Sequence, residues 1–244
     1  QRTAELHRAL AAPSDNNDFS PEPFTPFYRR GLAQGLRSRS RSSLRALRQR
    51  LPHLPEDLQP RAREVLALES DITRRMESIG HRPVGGRRTR THGDFHLGQV
   101  LFTGKDFIII DFEGEPARPL GERRIKRSPL RDVAGMIRSF HYAAVAAQRT
   151  TMPHVDAGSE DAAAASLWAR AWYRWMSAIF VAAYIEGTHD TGALPREEDF
   201  SFVLDLYVLE KALYELEYEL DNRPDWVSIP LEGIIETMAA ASFE

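Results

Sequence analysis

His92-Gly93-Asp94-Phe95-His96-Leu97-Gly98-Gln99 and, after a short hairpin, Ile109-Ile110-Asp111-Phe112-Glu113-Gly114 decide how this chain reads. The first run is an H-x-D triplet with an amide side chain five residues after the Asp. The second is D-F-x-G at the end of an apolar stretch. Phosphoryl transfer needs positioning and charge neutralisation more than covalent chemistry, and this is its signature. Asp94 is the candidate base, accepting the proton of an attacking hydroxyl. Gln99 and Asp111 are candidates to hold Mg²⁺ against the phosphates of ATP, since a hard cation there takes few protein oxygens. The two acids are 17 positions apart, room for a loop, a strand, a tight turn and a second strand. An Asp by itself is often only a cap; the four features together set this pair apart.

Working outward, Arg87 to Thr91 alternates and reads as a strand entering the loop. Gln99 to Phe102 is a short strand, Thr103-Gly104-Lys105-Asp106 a turn, and Phe107 to Ile110 a buried β-branched strand. Upstream, residues 1–12 read as the end of a helix closed by Pro13 and the polar run Ser14 to Asp18. Residues 19–26 carry three prolines and form a loop. Residues 27–50 are helical. Pro52 and Pro55 interrupt, and 56–79 form another helix stopped at Gly80. Downstream, 112–128 read as a loop. Helices are expected over 129–149, 161–186, 197–221 and 230–242, with Pro230 in the first turn of the last. The fold class is therefore α+β, mostly α-helical, with a small β-hairpin carrying the catalytic loop. A helical part, 1–79, precedes the part that holds the site, 80–244.

Other side chains join the candidate list. His92 precedes the base and is expected to order the loop. His96 faces a substrate or packs. Glu113, two residues past Asp111, assists the metal, contacts substrate or is a solvated loop acid. Asp132 opens a helix, where the dipole favours an acid; it also suits an acceptor behind the site that fixes the loop backbone. Lys211, Tyr214 and Tyr218 lie at i, i+3 and i+7 on one helical face, a surface suited to a sugar. The plainer reading is the wet edge of an amphipathic helix. Trp168, Trp172, Tyr173 and Trp175 read as core and rim packing.

Composition narrows the classes. A hydrophobic content of 42% fits a globular core and excludes global disorder. Net charge is −3, which gives no reason to expect nucleic acid. Arg29 to Arg50 holds eight arginines but little aromatic interleaving, so a solvated helix face is the reading there. Lys105 after Gly104 lacks the spacing of a P-loop. There are no cysteines, which suits a cytoplasmic protein. The apolar run Trp175 to Ile185 is shorter than the roughly 20 residues a membrane span takes.

The two motif runs resemble the aminoglycoside-phosphotransferase branch of the kinase-like fold. Within it they resemble the maltokinases, as does the tail Leu209-Glu210-Lys211-Ala212-Leu213-Tyr214-Glu215 through Asn222-Arg223-Pro224-Asp225-Trp226 to Ile229-Pro230-Leu231. The resemblance covers 80–244, and 1–79 more loosely. It implies the C-terminal catalytic lobe of a protein-kinase-like fold that moves phosphate from ATP to maltose, giving maltose 1-phosphate in trehalose and α-glucan metabolism. It implies trehalose synthase as a fusion or complex partner, and Gln99 where most relatives carry Asn. No glycine-rich phosphate loop or β3-type lysine is visible. The chain starts at Gln1 inside a helical pattern, so the expectation is a piece of a longer protein that lacks its N-terminal nucleotide lobe and is weak or inactive alone. The competing expectations are a kinase of another small hydroxylated acceptor and a non-catalytic kinase-like interaction module.

Overall fold

The computed structural model describes residues 1–151 and 159–241. In chain order the elements are α1 (Arg2–Ala11), β1 (Glu22–Pro23), α2 (Pro26–Arg50), α3 (Gln59–Ala67), α4 (Glu69–Ser78), β2 (Arg87–Arg88), β3 (Val100–Phe102), β4 (Phe107–Ile109), α5 (Leu120–Arg123), α6 (Leu130–Thr151), α7 (Glu160–Thr188), α8 (Glu197–Asn222) and α9 (Ser228–Ala241). They form two units, each built from two separate stretches: Gln1–Pro21 with Thr89–Ala193, and Glu22–Arg88 with Leu194–Glu244.

The first unit holds α1, the β3–β4 hairpin, α5, α6 and α7. The hairpin is antiparallel, pairing Val100 with Ile109, Leu101 with Ile108 and Phe102 with Phe107. Its period of two turns Val100 and Ile109 toward a core of Phe95, Met136 and Phe140, against which Tyr173, Met176 and Phe180 of α7 also pack. The opposite face is bare. There Ile108 is 51% exposed and its pair Leu101 is exposed too; Phe102 and Phe107, on the same face as Val100 and Ile109 but at the turn end, run past the core and are also exposed. The expected buried strand at 107–110 is thus corrected: a two-stranded sheet has one face on the core, and no described element of this unit covers the other. Helix α1 lies against α7, and Arg2 pairs with Asp106 in the hairpin turn. Gly187 permits the approach of α1, since a Cβ there would sit 2.6 Å from that of Ala4.

Helix α7 corrects part of a second expectation. Trp168 is 77% exposed and Trp175 71%, so these two rings are surface and not core. Tyr173 faces inward, stacked on His141 at 4.7 Å, and Trp172 keeps a rim position, its ring edge-on to Phe140 at 6.4 Å. The helix is apolar on both sides, and sequence pattern alone cannot say which side α6 takes.

The second unit is helical, with the two-residue strands β1 and β2 paired antiparallel. Helix α2 packs on α8 and α4, and α9 on α8 and α3. Leu44, Leu47, Ile72, Leu209, Leu213 and Ile234 are fully buried between them. The single helix expected over 56–79 is two helices, α3 and α4, broken at Leu68, whose ψ is 2°. The break goes with packing: both helices touch α2, but α3 also turns toward α9 while α4 lies mainly along α2. The arginines of α2 go to ion pairs, Arg37 with Glu77, Arg39 with Glu210, Arg48 with Glu69 and Arg50 with Asp221. The expected last position of the final helix, residue 242, lies outside the described residues. The loop 112–128 contains the short helix α5.

Candidate active site

The site candidates of the first unit lie on two loops bound to each other. The segment before the loop is anchored where Thr89 and Arg127 exchange backbone hydrogen bonds at 2.9 Å each. His92 Nε2–H donates to the Ile110 carbonyl at 2.8 Å, and the Ile110 N–H donates to the Gln99 carbonyl at 3.0 Å. A carbonyl only accepts, so the hydrogen of neutral His92 sits on Nε2. His92 Nδ1 is buried without a hydrogen-bond partner. Gly93 and Gly114, with φ of 88° and 79°, meet where the loops cross, since a Cβ on Gly93 would lie 3.3 Å from Gly114 Cα. Both need glycine for φ and for space.

Gln99 and Asp111 come together: the Gln99 Nε2–H donates to Asp111 Oδ2 at 2.9 Å. Asp111 has φ of 65° and is the one non-glycine with positive φ among the described residues. That conformation costs an Asp on the order of 1 kcal/mol and persists where the surroundings impose it, a pattern that gathers at functional sites. Asp94 is partly buried, with the His96 Nε2 3.8 Å from its Oδ2. His96 also caps the 3₁₀ turn Leu97–Gln99, its Nδ1 accepting from the Gly98 N–H at 3.0 Å. Glu113 is exposed and 4.0 Å from Arg123.

One face of α6 carries the first loop. Asp132 Oδ2 accepts from the His92 N–H at 2.6 Å, and Oδ1 from the Gly93 N–H at 3.0 Å. One turn on, a Cβ at Gly135 would lie 2.5 Å from the Phe95 carbonyl oxygen. A turn further, Ser139 Oγ accepts from the Leu97 N–H at 3.2 Å. The spacing 132, 135, 139 is a helix stripe. Burial pushes the Asp132 carboxyl up, but the hydrogen bond and charge of His7, with the two backbone donors, outweigh it and hold the group below the usual carboxylate range. His7 and Tyr184 complete the network: His7 Nε2 is 3.1 Å from Asp132 Oδ2, and Nδ1 is 2.8 Å from the Tyr184 hydroxyl. Burial pushes the Tyr184 phenol far above its ordinary range, so it stays neutral.

Sequence reasoning missed His7, Gly135, Ser139 and Tyr184. Gly135 and Ser139 were findable from the register of Asp132, one and two turns along the same stripe. His7, 125 residues upstream of Asp132, carried no local signal. Lys211, Tyr214 and Tyr218 lie on α8, in the second unit. Lys211 Nζ stands over the Tyr214 ring at 5.0 Å and Arg39 over the same ring at 5.7 Å, while Arg223 stands over Tyr218 at 5.4 Å. These rings thus have cation partners of their own, as an amphipathic helix edge would.

Fold and loops together define a class: a mostly helical α+β protein with the kinase-like fold of the aminoglycoside phosphotransferases. Residues 2–114 match the phosphotransferase enzyme family, a stretch ending on the last glycine of D-F-x-G. The glucosamine kinase of Mycolicibacterium smegmatis is 32% identical over 141 residues, which is 57% of this chain and 32% of that protein. The glucosamine kinase of Streptacidiphilus jiangxiensis is 30% identical over 140 residues, 57% of this chain and 29% of that one. A solved glucosamine kinase, in complex with glucosamine, ADP and inorganic phosphate, superposes with a TM-score of 0.75 at 21% identity. It covers 98% of this chain and 53% of its own. The chain thus spans about half the length of the solved relatives, and its matches span about a third of the curated ones. Among the described residues no helix is long and apolar enough to cross a membrane.

Proposed function

We propose that this chain carries the base and metal side of an ATP-dependent sugar kinase. The observation that supports it most is the meeting of Gln99 and Asp111 at 2.9 Å, with Asp111 held in a left-handed backbone. An amide offers a carboxylate its N–H; a cation held by both calls for the amide oxygen, a half-turn of the same side chain. Two hard oxygen donors fit Mg²⁺, which keeps waters and takes its other ligands from phosphate. Among the described residues there is no cluster of three or more His, Cys, Asp or Glu that could hold a metal. The ion, when bound, neutralises charge on the phosphates.

The chain's own residues do the rest. Asp94 accepts the proton of the sugar hydroxyl. Its partial burial and the nearby His96 keep it aimed and set apart from bulk water. Asp132 fixes the His92 and Gly93 backbone, and His92 ties that loop to the strand before Asp111.

The acceptor is a sugar. Two specific candidates have support: glucosamine, from the names of the relatives at 30–32% identity, and maltose, from the resemblance of the tail 209–231. Lys211, Tyr214 and Tyr218 are proposed as acceptor contacts, and trehalose synthase as a partner in the maltose case only. A coupled ADP-release assay of the full-length gene product with Mg²⁺, ATP and either sugar decides between them. Release stimulated by neither sugar would overturn the sugar-kinase reading.

A further inference from the structure

His7 sits on a polar helix outside both loop motifs, yet it is 1% exposed. Burying an imidazole nitrogen is costly unless it is paired, and both nitrogens of His7 are paired, with Asp132 and Tyr184 at 3.1 and 2.8 Å. A carboxylate accepts only, so Nε2 carries the hydrogen that faces Asp132. Asp132 Oδ2 then holds two donors, His7 Nε2–H and the His92 N–H, and Oδ1 holds the Gly93 N–H. Three donors on three sides leave the carboxylate no free rotation. His7 is fixed in turn. Its ring meets Tyr184 edge-on at 5.5 Å. Arg8, next along α1, donates to the Gly187 carbonyl and pairs with Asp190, and Ala4 nests on Gly187. Helix α1 is therefore seated on α7 such that His7 reaches past it to α6.

We propose that His7 is a positioning residue for the catalytic loop: through Asp132 it locks the His92 and Gly93 backbone directly before Asp94. Its effect on turnover rests on the sugar-kinase reading; its hold on the loop does not. A histidine that merely fills the core would contribute stability everywhere in this unit. A positioning histidine acts at 92–93 first.

The test compares three variants of the full-length gene product. His7→Phe keeps a ring and removes both nitrogens. His7→Gln restores a donor toward Asp132. His7→Asn keeps a polar group near Tyr184 but falls short of Asp132. Amide hydrogen exchange is read at His92 and Gly93, alongside kcat and KM. His7→Phe is expected to exchange about tenfold faster at 92–93, with the β3–β4 hairpin and α7 of the same unit little changed. Its kcat is expected to fall roughly 10–100-fold, the range for a supporting partner of a site group, with KM for ATP nearly constant. His7→Gln is expected to recover most of both. Parent-like exchange and kcat in His7→Phe overturn the proposal, as does a uniform rise in exchange that His7→Gln does not reverse. If His7→Phe fails to fold, His7→Asn carries the test, and parent-like exchange at 92–93 in that variant overturns it. A parent without turnover on any sugar, together with selective exchange in His7→Phe, sinks the kinase reading and leaves the His7 assignment standing.

Discussion

Gly135 and Phe95 touch backbone to backbone: a Cβ on the first would stand 2.5 Å from the carbonyl oxygen of the second. Helix α6 is therefore a bed for the loop that carries Asp94, with Asp132 accepting from its start and Ser139 from its end.

Gly135→Ala should destabilise the protein. Alanine gains up to about 1 kcal/mol in helix propensity. Overlap with a backbone oxygen that cannot swing aside typically costs about 1–3 kcal/mol. The overlap wins. Gly31 and Gly35 in α2 have nothing within 4 Å, so alanine there should stabilise by up to about 1 kcal/mol. Urea denaturation of the three variants compares them, and a Gly135→Ala protein as stable as Gly31→Ala would show that the contact is not made.

Asp94→Asn should cut turnover by roughly 10²–10⁴, the range for a lost general base, while ATP binding changes little. Steady-state kinetics with the better sugar measures it. Turnover within a few-fold of the parent would remove Asp94 from the role of base.

Asp111→Ala should abolish the Mg²⁺ dependence of nucleotide binding, because the carboxylate is the charged half of the proposed ion pair of ligands. It should not relieve the left-handed backbone, since alanine tolerates positive φ less well than Asp. Calorimetry with ATP, with and without Mg²⁺, reads the effect; unchanged affinity and metal dependence would rule the assignment out.

Asp132 should make the fold sensitive to acid. Its folded pKa lies below the usual value, so the unfolded chain takes up the proton first. The stability it contributes is present above the ordinary carboxylate pKa, about 3.9, and is lost as pH falls through the lowered folded value. Urea midpoints measured against pH should drop below about pH 4, and Asp132→Asn should flatten that part of the curve. An identical slope in parent and variant would mean that Asp132 is not held ionised.

Trp168→Lys should leave stability within about 0.5 kcal/mol of the parent, as surface substitutions do, since the ring is 77% exposed. Phe140→Ala, in the core of the same unit, should cost about 3–5 kcal/mol. A large loss at Trp168 would restore the packing role read from its sequence context.

Much of the site was legible because its logic is local. The H-x-D triplet, the amide at plus five and D-F-x-G sit within 23 residues, joined by a hairpin whose turn chemistry is visible in Thr103-Gly104-Lys105-Asp106. Helix starts and stops around α2, α6 and α8 follow from prolines, caps and periodicity, which act over a few residues. The break at Leu68 was not legible, because nothing in that stretch forbids helix; it goes with the different packing of α3 and α4. The exposure of Trp168 and Ile108 was hidden for a related reason, as an apolar side chain states a preference for burial but not which neighbour supplies it.

The sequence by itself determined which residues, Asp94, Gln99 and Asp111, are candidates for phosphoryl-transfer chemistry, and a mostly helical fold with one small hairpin. These rest on short-range rules: residue type, spacing and backbone preference. Only the tertiary structure decided that Gln99 meets Asp111, that residues 1–21 join 89–193 in one unit, and that His7 reaches Asp132 across 125 positions. Contacts of that kind come from how helices pack, and packing is set by the shapes of whole faces rather than by any stretch of chain.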